Sequence, residues 1–96
     1  MKLSELLKDT PHTLIGCDGG LEITGICRDS RRAAPGSVFV AIRGYQADGH
    51  RFVPEAMAAG CTAAVVETPP DDKGPYLVVP DSRRALATLA NTFFAY

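Results

Sequence analysis

The run Asp29-Ser30-Arg31 places three kinds of polar group side by side: a carboxylate that can fix a turn by accepting backbone N–H bonds, a hydroxyl, and a guanidinium fork suited to an anion. Ser30 can present its hydroxyl and its backbone N–H to a phosphate oxygen or to the edge of a base. The run follows an apolar, partly β-branched stretch, and ligands of open α/β sheets bind outside the carboxyl ends of strands. A plainer reading competes: Asp29 and Ser30 make a turn, and Arg31 is a solvated charge. Spacing alone favours the plainer one. Asp81-Ser82-Arg83-Arg84 repeats the four letters of Asp29-Ser30-Arg31-Arg32. That second copy follows Pro80 and opens an amphipathic helix, so helix capping is its expected work, although a helix N-terminus can also hold an anion.

The segment Gly44-Tyr45-Gln46-Ala47-Asp48-Gly49-His50 combines a ring, an amide and two glycines. Tyr45 could stack on a pyrimidine, Gln46 could pair with a base edge, and the glycines would let the backbone come close. The alternative is a simple connection in which Asp48-Gly49 turns the chain and His50 begins a helix as a half-exposed polar residue. No pattern ties His50 to a Ser or Cys nucleophile, so a catalytic base is not its expected role. There is no Gly-x-x-x-x-Gly-Lys-Ser/Thr loop and no Gly-x-Gly-x-x-Gly fingerprint opening a helix, so ATP hydrolysis is not supported here. The acidic residues show no paired arrangement for general acid/base work or a metal cage; Asp71-Asp72 reads as a solvated loop. No catalytic residue and no metal ligand is expected.

The elements that must position these groups follow from periodicity. Leu3, Leu6 and Leu7 predict a short first helix that Ser4 could help cap and Pro11 would stop. Residues 11–20 read as loop and residues 22–28 as a strand with a polar carboxyl end. After the Pro35-Gly36 turn, the continuous run Ser37-Val38-Phe39-Val40-Ala41-Ile42 predicts a strand covered on both faces and placed centrally. Phe52, Val53, Ala56 and Met57 give a helix of about ten residues closed by Gly60. Residues 62–66 and 76–79 read as further strands, and Leu86, Leu89, Ala90 and Phe93 form one face of a last helix capped by Asp81 or Ser82. The alternation predicts an α/β domain with a small, mostly parallel sheet and flanking helices.

Ninety-six residues suit one domain, and 46% hydrophobic with 22% charged residues is globular composition. A domain this small buries only about 60 to 65% of its unfolded surface and can lean on neighbours. The apolar, aromatic stretch up to Tyr96 leads us to expect an excised domain. A formal charge of -1 lacks the positive field of a nucleic-acid binder, while the Arg pairs 31/32 and 83/84 leave room for a small anionic ligand. Cys17, Cys27 and Cys61 are odd in number and match no metal spacing, which fits a reduced compartment. Without a signal-peptide core or a run of roughly 20 apolar residues, the expectation is a soluble cytoplasmic protein with no membrane partner.

Taken in order, Asp29-Ser30-Arg31, Pro35-Gly36-Ser37-Val38-Phe39-Val40-Ala41, Gly44, Asp48-Gly49-His50-Arg51-Phe52, Ala56 and Gly60 resemble the N-terminal domain of the Mur ligases, which build the peptide of peptidoglycan. The resemblance covers nearly the whole chain and is specific to the MurE and MurF branch. Gln46-Ala47-Asp48-Gly49-His50 and the start Lys2-Leu3-Ser4-Glu5-Leu6-Leu7 look more like MurE. The resemblance implies that residues 1–96 form one domain holding the UDP part of UDP-MurNAc-L-Ala-D-Glu, with the central ATPase and C-terminal domains absent. It implies that Arg28, Ser30, Tyr45, Gln46 and Ala47 line the UDP site, Arg28 more through its backbone than its side chain. The family often has His where Tyr45 stands, so a ring is kept with different hydrogen bonding. The fragment would need no cofactor and be inactive by itself; ATP and magnesium would serve the full-length ligase, on whose central domain this one would pack. The implied reaction turns the D-glutamate carboxylate into an acyl phosphate, which the amine of the third amino acid attacks. A MurF-type domain holding a UDP-linked tripeptide is the rival within the family. A non-catalytic nucleotide-binding or interaction module is the rival outside it.

Overall fold

The computed structural model describes residues 1–44 and 47–95. Five strands form one sheet: β1 (Thr13–Ile15), β2 (Gly25–Cys27), β3 (Ser37–Val40), β4 (Ala63–Val66) and β5 (Tyr76–Val78). Their order across the sheet is β1-β5-β4-β3-β2. The four later strands run parallel, and β1 pairs antiparallel with β5, Leu14 opposite Leu77. The α/β expectation of a small, mostly parallel sheet with flanking helices therefore holds. β3 is interior, as its unbroken apolar run requires, but β4 occupies the middle position.

Along β3 and β4 the side chains alternate between two cores. Val38, Val40, Ala63 and Val65 join Leu77 beneath α1 (Leu3–Leu6) and α3 (Ser82–Ala95), whose Leu3, Leu6, Ala85 and Leu89 are buried. Phe39, Ala41, Ala64 and Val66 face the other way, onto Val53 and Ala56 of α2 (Val53–Ala58). Both strands are buried on both faces, the arrangement that selects small and β-branched apolar residues without a polar alternation.

Several local expectations need correction. Residues 11–20 are not all loop, because Thr13–Ile15 adds an edge strand to β5. The strand expected over 22–28 is shorter: Glu22 pairs instead with Lys2, and the Ile23 N–H donates to the Met1 carbonyl at 2.8 Å, which ties the amino terminus to the sheet. Ser4 does not cap α1; it lies within the helix, and the Glu5 carboxylate accepts the Lys2 N–H at 3.4 Å. The helix expected after residue 50 starts as a 3₁₀ turn, Gly49–Phe52, before α2. Gly60 closes it at φ +101°, a left-handed backbone that an L side chain would strain. Among the described residues no helix is long and apolar enough to cross a membrane.

Candidate functional site

The carboxyl ends of the parallel strands carry the polar groups singled out in the sequence. Leaving β2, the chain passes Arg28 and turns at Asp29, which caps the 3₁₀ turn Ser30–Arg32. Asp29 Oδ1 accepts the Arg31 backbone N–H at 2.9 Å and Nε–H at 3.1 Å, and Oδ2 accepts from Nη2 at 2.9 Å. These bonds, the side-chain ones foremost, hold the Asp29 carboxyl down at about 2, and the same pairing raises Arg31. The turn-making role expected of Asp29 is thus present. Arg31 spends its fork on Asp29 in an exposed pair, which points to local orientation rather than to stability.

Ser30 faces a neighbour that sequence spacing did not reveal. Its hydroxyl donates to Glu55 Oε2 of α2 at 3.1 Å. The segment after β3 then approaches from the other side. The Gly44 N–H donates to the Ala47 carbonyl at 2.9 Å, Arg43 pairs with Asp48 as an isolated bridge, and the Gly49 N–H donates to the Ile42 carbonyl at 2.7 Å. Gly49 is required here, because a Cβ would sit 2.6 Å from the Ile42 nitrogen and 2.8 Å from its oxygen.

Between these two segments lies a cleft of about 610 Å³. Arg28, Ser30 and Ala47 line it together, with Ile42 and the half-buried ring of Phe52 as its apolar wall and Glu55 at its rim. Three of the five sequence-expected site residues are therefore brought to one concavity. Tyr45 and Gln46 lie outside the described residues. Phe52 is legible in the sequence as part of an apolar helix periodicity, not as a cleft wall, and nothing local in the sequence marks Glu55. A larger hollow of about 760 Å³ lies between α1 and the far end of α3, away from the strand ends.

Two polar clusters lie where the segment after β3, the end of β4 and the start of α3 come together. Asp48 caps its 3₁₀ turn and accepts from the His50 backbone N–H at 3.0 Å, the bond that chiefly lowers its carboxyl; His50 Nδ1–H donates to the same oxygen at 2.7 Å. Glu67, at the end of β4, accepts the Ser82 N–H at 2.8 Å and lies 3.8 Å from Arg43 Nε. The second Asp-Ser-Arg-Arg copy caps as expected: Asp81 Oδ1 accepts the Arg84 N–H at 3.1 Å at the start of α3. Ser82 takes no part in that cap; its N–H goes to Glu67. Among the described residues no group of three His, Cys, Asp or Glu side chains is placed to hold a metal ion.

Residues 22–94 match the family described as Mur ligase family, catalytic domain. The chain is 42% identical over 94 residues to the UDP-N-acetylmuramoyl-L-alanyl-D-glutamate–2,6-diaminopimelate ligase of Geobacillus thermodenitrificans, covering 98% of this chain and 19% of that protein. Its fold is similar to a crystal structure of MurF from Acinetobacter baumannii, with a TM-score of 0.82 and 35% identity over 94% of this chain and 20% of that one. A MurF ligase from Thermotoga maritima in complex with ADP is similar over 78% of this chain and 17% of its own, with a TM-score of 0.66 and 29% identity. The chain thus spans about a fifth of the length of the relatives it matches.

Proposed function

The chain belongs to the Mur ligase family, and from that premise we propose that residues 1–96 form a single domain that holds the uridine diphosphate of UDP-MurNAc-L-Ala-D-Glu for an ATP-dependent ligase adding the third residue of the stem peptide. The observation that carries this reading is the shared cleft between the ends of β2 and β3, where Arg28 and Ser30 meet Ala47. Its mixed character suits a nucleotide: an apolar wall with a ring at Phe52, and a few polar groups that converge from two segments. Tyr45 and Gln46 are proposed to complete the site.

The domain's contribution is positioning. Holding the distant nucleotide handle lets binding energy fix where the D-glutamate carboxylate sits, which matters because orientation of reactants can supply several kcal/mol of a barrier. ATP and magnesium would form the acyl phosphate on another part of the ligase, against which this domain would pack in the cytoplasm; none of the groups described here takes part in that step.

The MurE assignment rests on 42% identity to a diaminopimelate ligase. A MurF-type domain is the second reading, favoured by the fold similarity to MurF; transfer onto the UDP-linked dipeptide rather than the tripeptide by the longer ligase separates the two. Calorimetric titration of the 96-residue chain with UDP tests the site: weak binding that Ser30→Ala weakens further is expected, and equal affinity of the two proteins would remove Ser30 from it.

A further inference from the structure

The Ser30 hydroxyl has one proton, and the structure commits it to Glu55. An ionised carboxylate only accepts, so the 3.1 Å contact between Ser30 Oγ and Glu55 Oε2 fixes the direction of that bond. What Ser30 then turns toward the cleft is a lone pair. A lone pair cannot bind a phosphate oxygen, which is itself an acceptor; it binds an N–H or an O–H. Two carboxylates, Asp29 and Glu55, stand beside it, and the guanidinium of Arg31 is closed onto Asp29 at 2.9 and 3.1 Å; Arg28 is the other cation that lines the cleft. A diphosphate oxygen placed against the Ser30 hydroxyl would meet an acceptor flanked by two carboxylates.

We infer that Glu55 is a positioning residue that makes Ser30 a hydrogen-bond acceptor for the nucleoside end of the ligand, an imide N–H or a sugar hydroxyl, and not a donor to its phosphates. This rests on the cleft's being the UDP site. It adds a direction to the bound nucleotide: the uridine lies against the β2 end and α2, and the diphosphate points away from them.

The test uses the 96-residue chain titrated separately with uridine, UDP and inorganic pyrophosphate, together with the ¹³C signal of the Glu55 carboxylate in the ligand-free protein. Ser30→Ala is expected to weaken uridine and UDP by the same factor, roughly 2- to 10-fold for one net hydrogen bond, and to leave pyrophosphate unchanged. Glu55→Ala should reproduce that loss. Glu55→Gln should largely restore affinity, because its amide oxygen still accepts the Ser30 proton. Loss of UDP affinity in Ser30→Ala without loss of uridine affinity overturns the inference, as does tighter UDP binding with unchanged uridine binding in Glu55→Ala, the result expected of a merely repulsive carboxylate. The ligand-free signal separates the two levels. A Glu55 carboxylate signal that Ser30→Ala leaves unmoved refutes the Ser30–Glu55 link whether or not uridine binds. A signal that moves, in a wild-type chain that binds neither uridine nor UDP, refutes the nucleotide site itself and the inference with it.

Discussion

His50 Nε2 accepts the backbone N–H of Glu67 at 2.9 Å, while Nδ1–H of the same ring donates to Asp48 at 2.7 Å. One neutral tautomer, protonated at Nδ1, satisfies both bonds. The ring thereby joins the segment after β3 to the end of β4, and Glu67 passes the connection on to the first turn of α3 through Ser82. His50→Ala is expected to lower stability by about 1–2 kcal/mol, the cost of leaving a partly buried donor unpaired, as read by urea denaturation. The local sign is faster hydrogen exchange at the Glu67 amide; an unchanged exchange rate there would mean that the ring does not hold it.

Asp29 titrates at about 2 instead of 3.8 because Arg31 bonds its charged form. A depressed carboxyl favours the folded turn fully above its ordinary value and loses that contribution as pH falls toward 2. In ¹³C-detected titration the Asp29 carboxyl should show its midpoint near 2, and in Arg31→Ala the midpoint should rise toward the usual carboxylate range. A wild-type midpoint already in that range would show that the pair does not form in solution.

Gly49→Ala puts a methyl against the backbone of Ile42, which no side-chain rotation can relieve. The expected cost is about 1–3 kcal/mol of overpacking, and the Gly49 N–H bond to Ile42 that closes the 43–49 segment should be lost with it. Chemical denaturation gives the first quantity, and UDP titration should show weaker binding at temperatures where the variant is still folded. A variant as stable as the parent would mean that this close approach is relaxed in solution.

Phe39 of β3 is fully buried between the sheet and α2. Truncation to Ala should cost about 3–5 kcal/mol, a large share of the roughly 5–15 kcal/mol that keeps a domain folded. Phe39→Leu should cost much less. Thermal melts of the two variants check the order; similar melting temperatures for both would place the ring outside the core.

The sequence by itself determined which stretches become buried strands and which become helices. Val38 to Val40 and Ala63 to Val66 are apolar at every position, and a short run of this kind bounded by turn residues fits a strand covered on both faces. It also determined the family, and the turn chemistry at Asp29, Asp48 and Asp81, since a carboxylate accepting nearby backbone N–H groups is a local event. Tertiary structure alone decided what distant segments do to one another. Thr13–Ile15 becomes a strand because β5 offers it an open edge, not because three residues prefer to be one. Ser30 finds Glu55, and His50 finds Glu67, only once helix and strand ends are stacked at the same rim of the sheet. Periodicity reports the face a residue turns toward the core; it holds no information on which polar residue will stand opposite, and the chemistry of the cleft depends on that pairing.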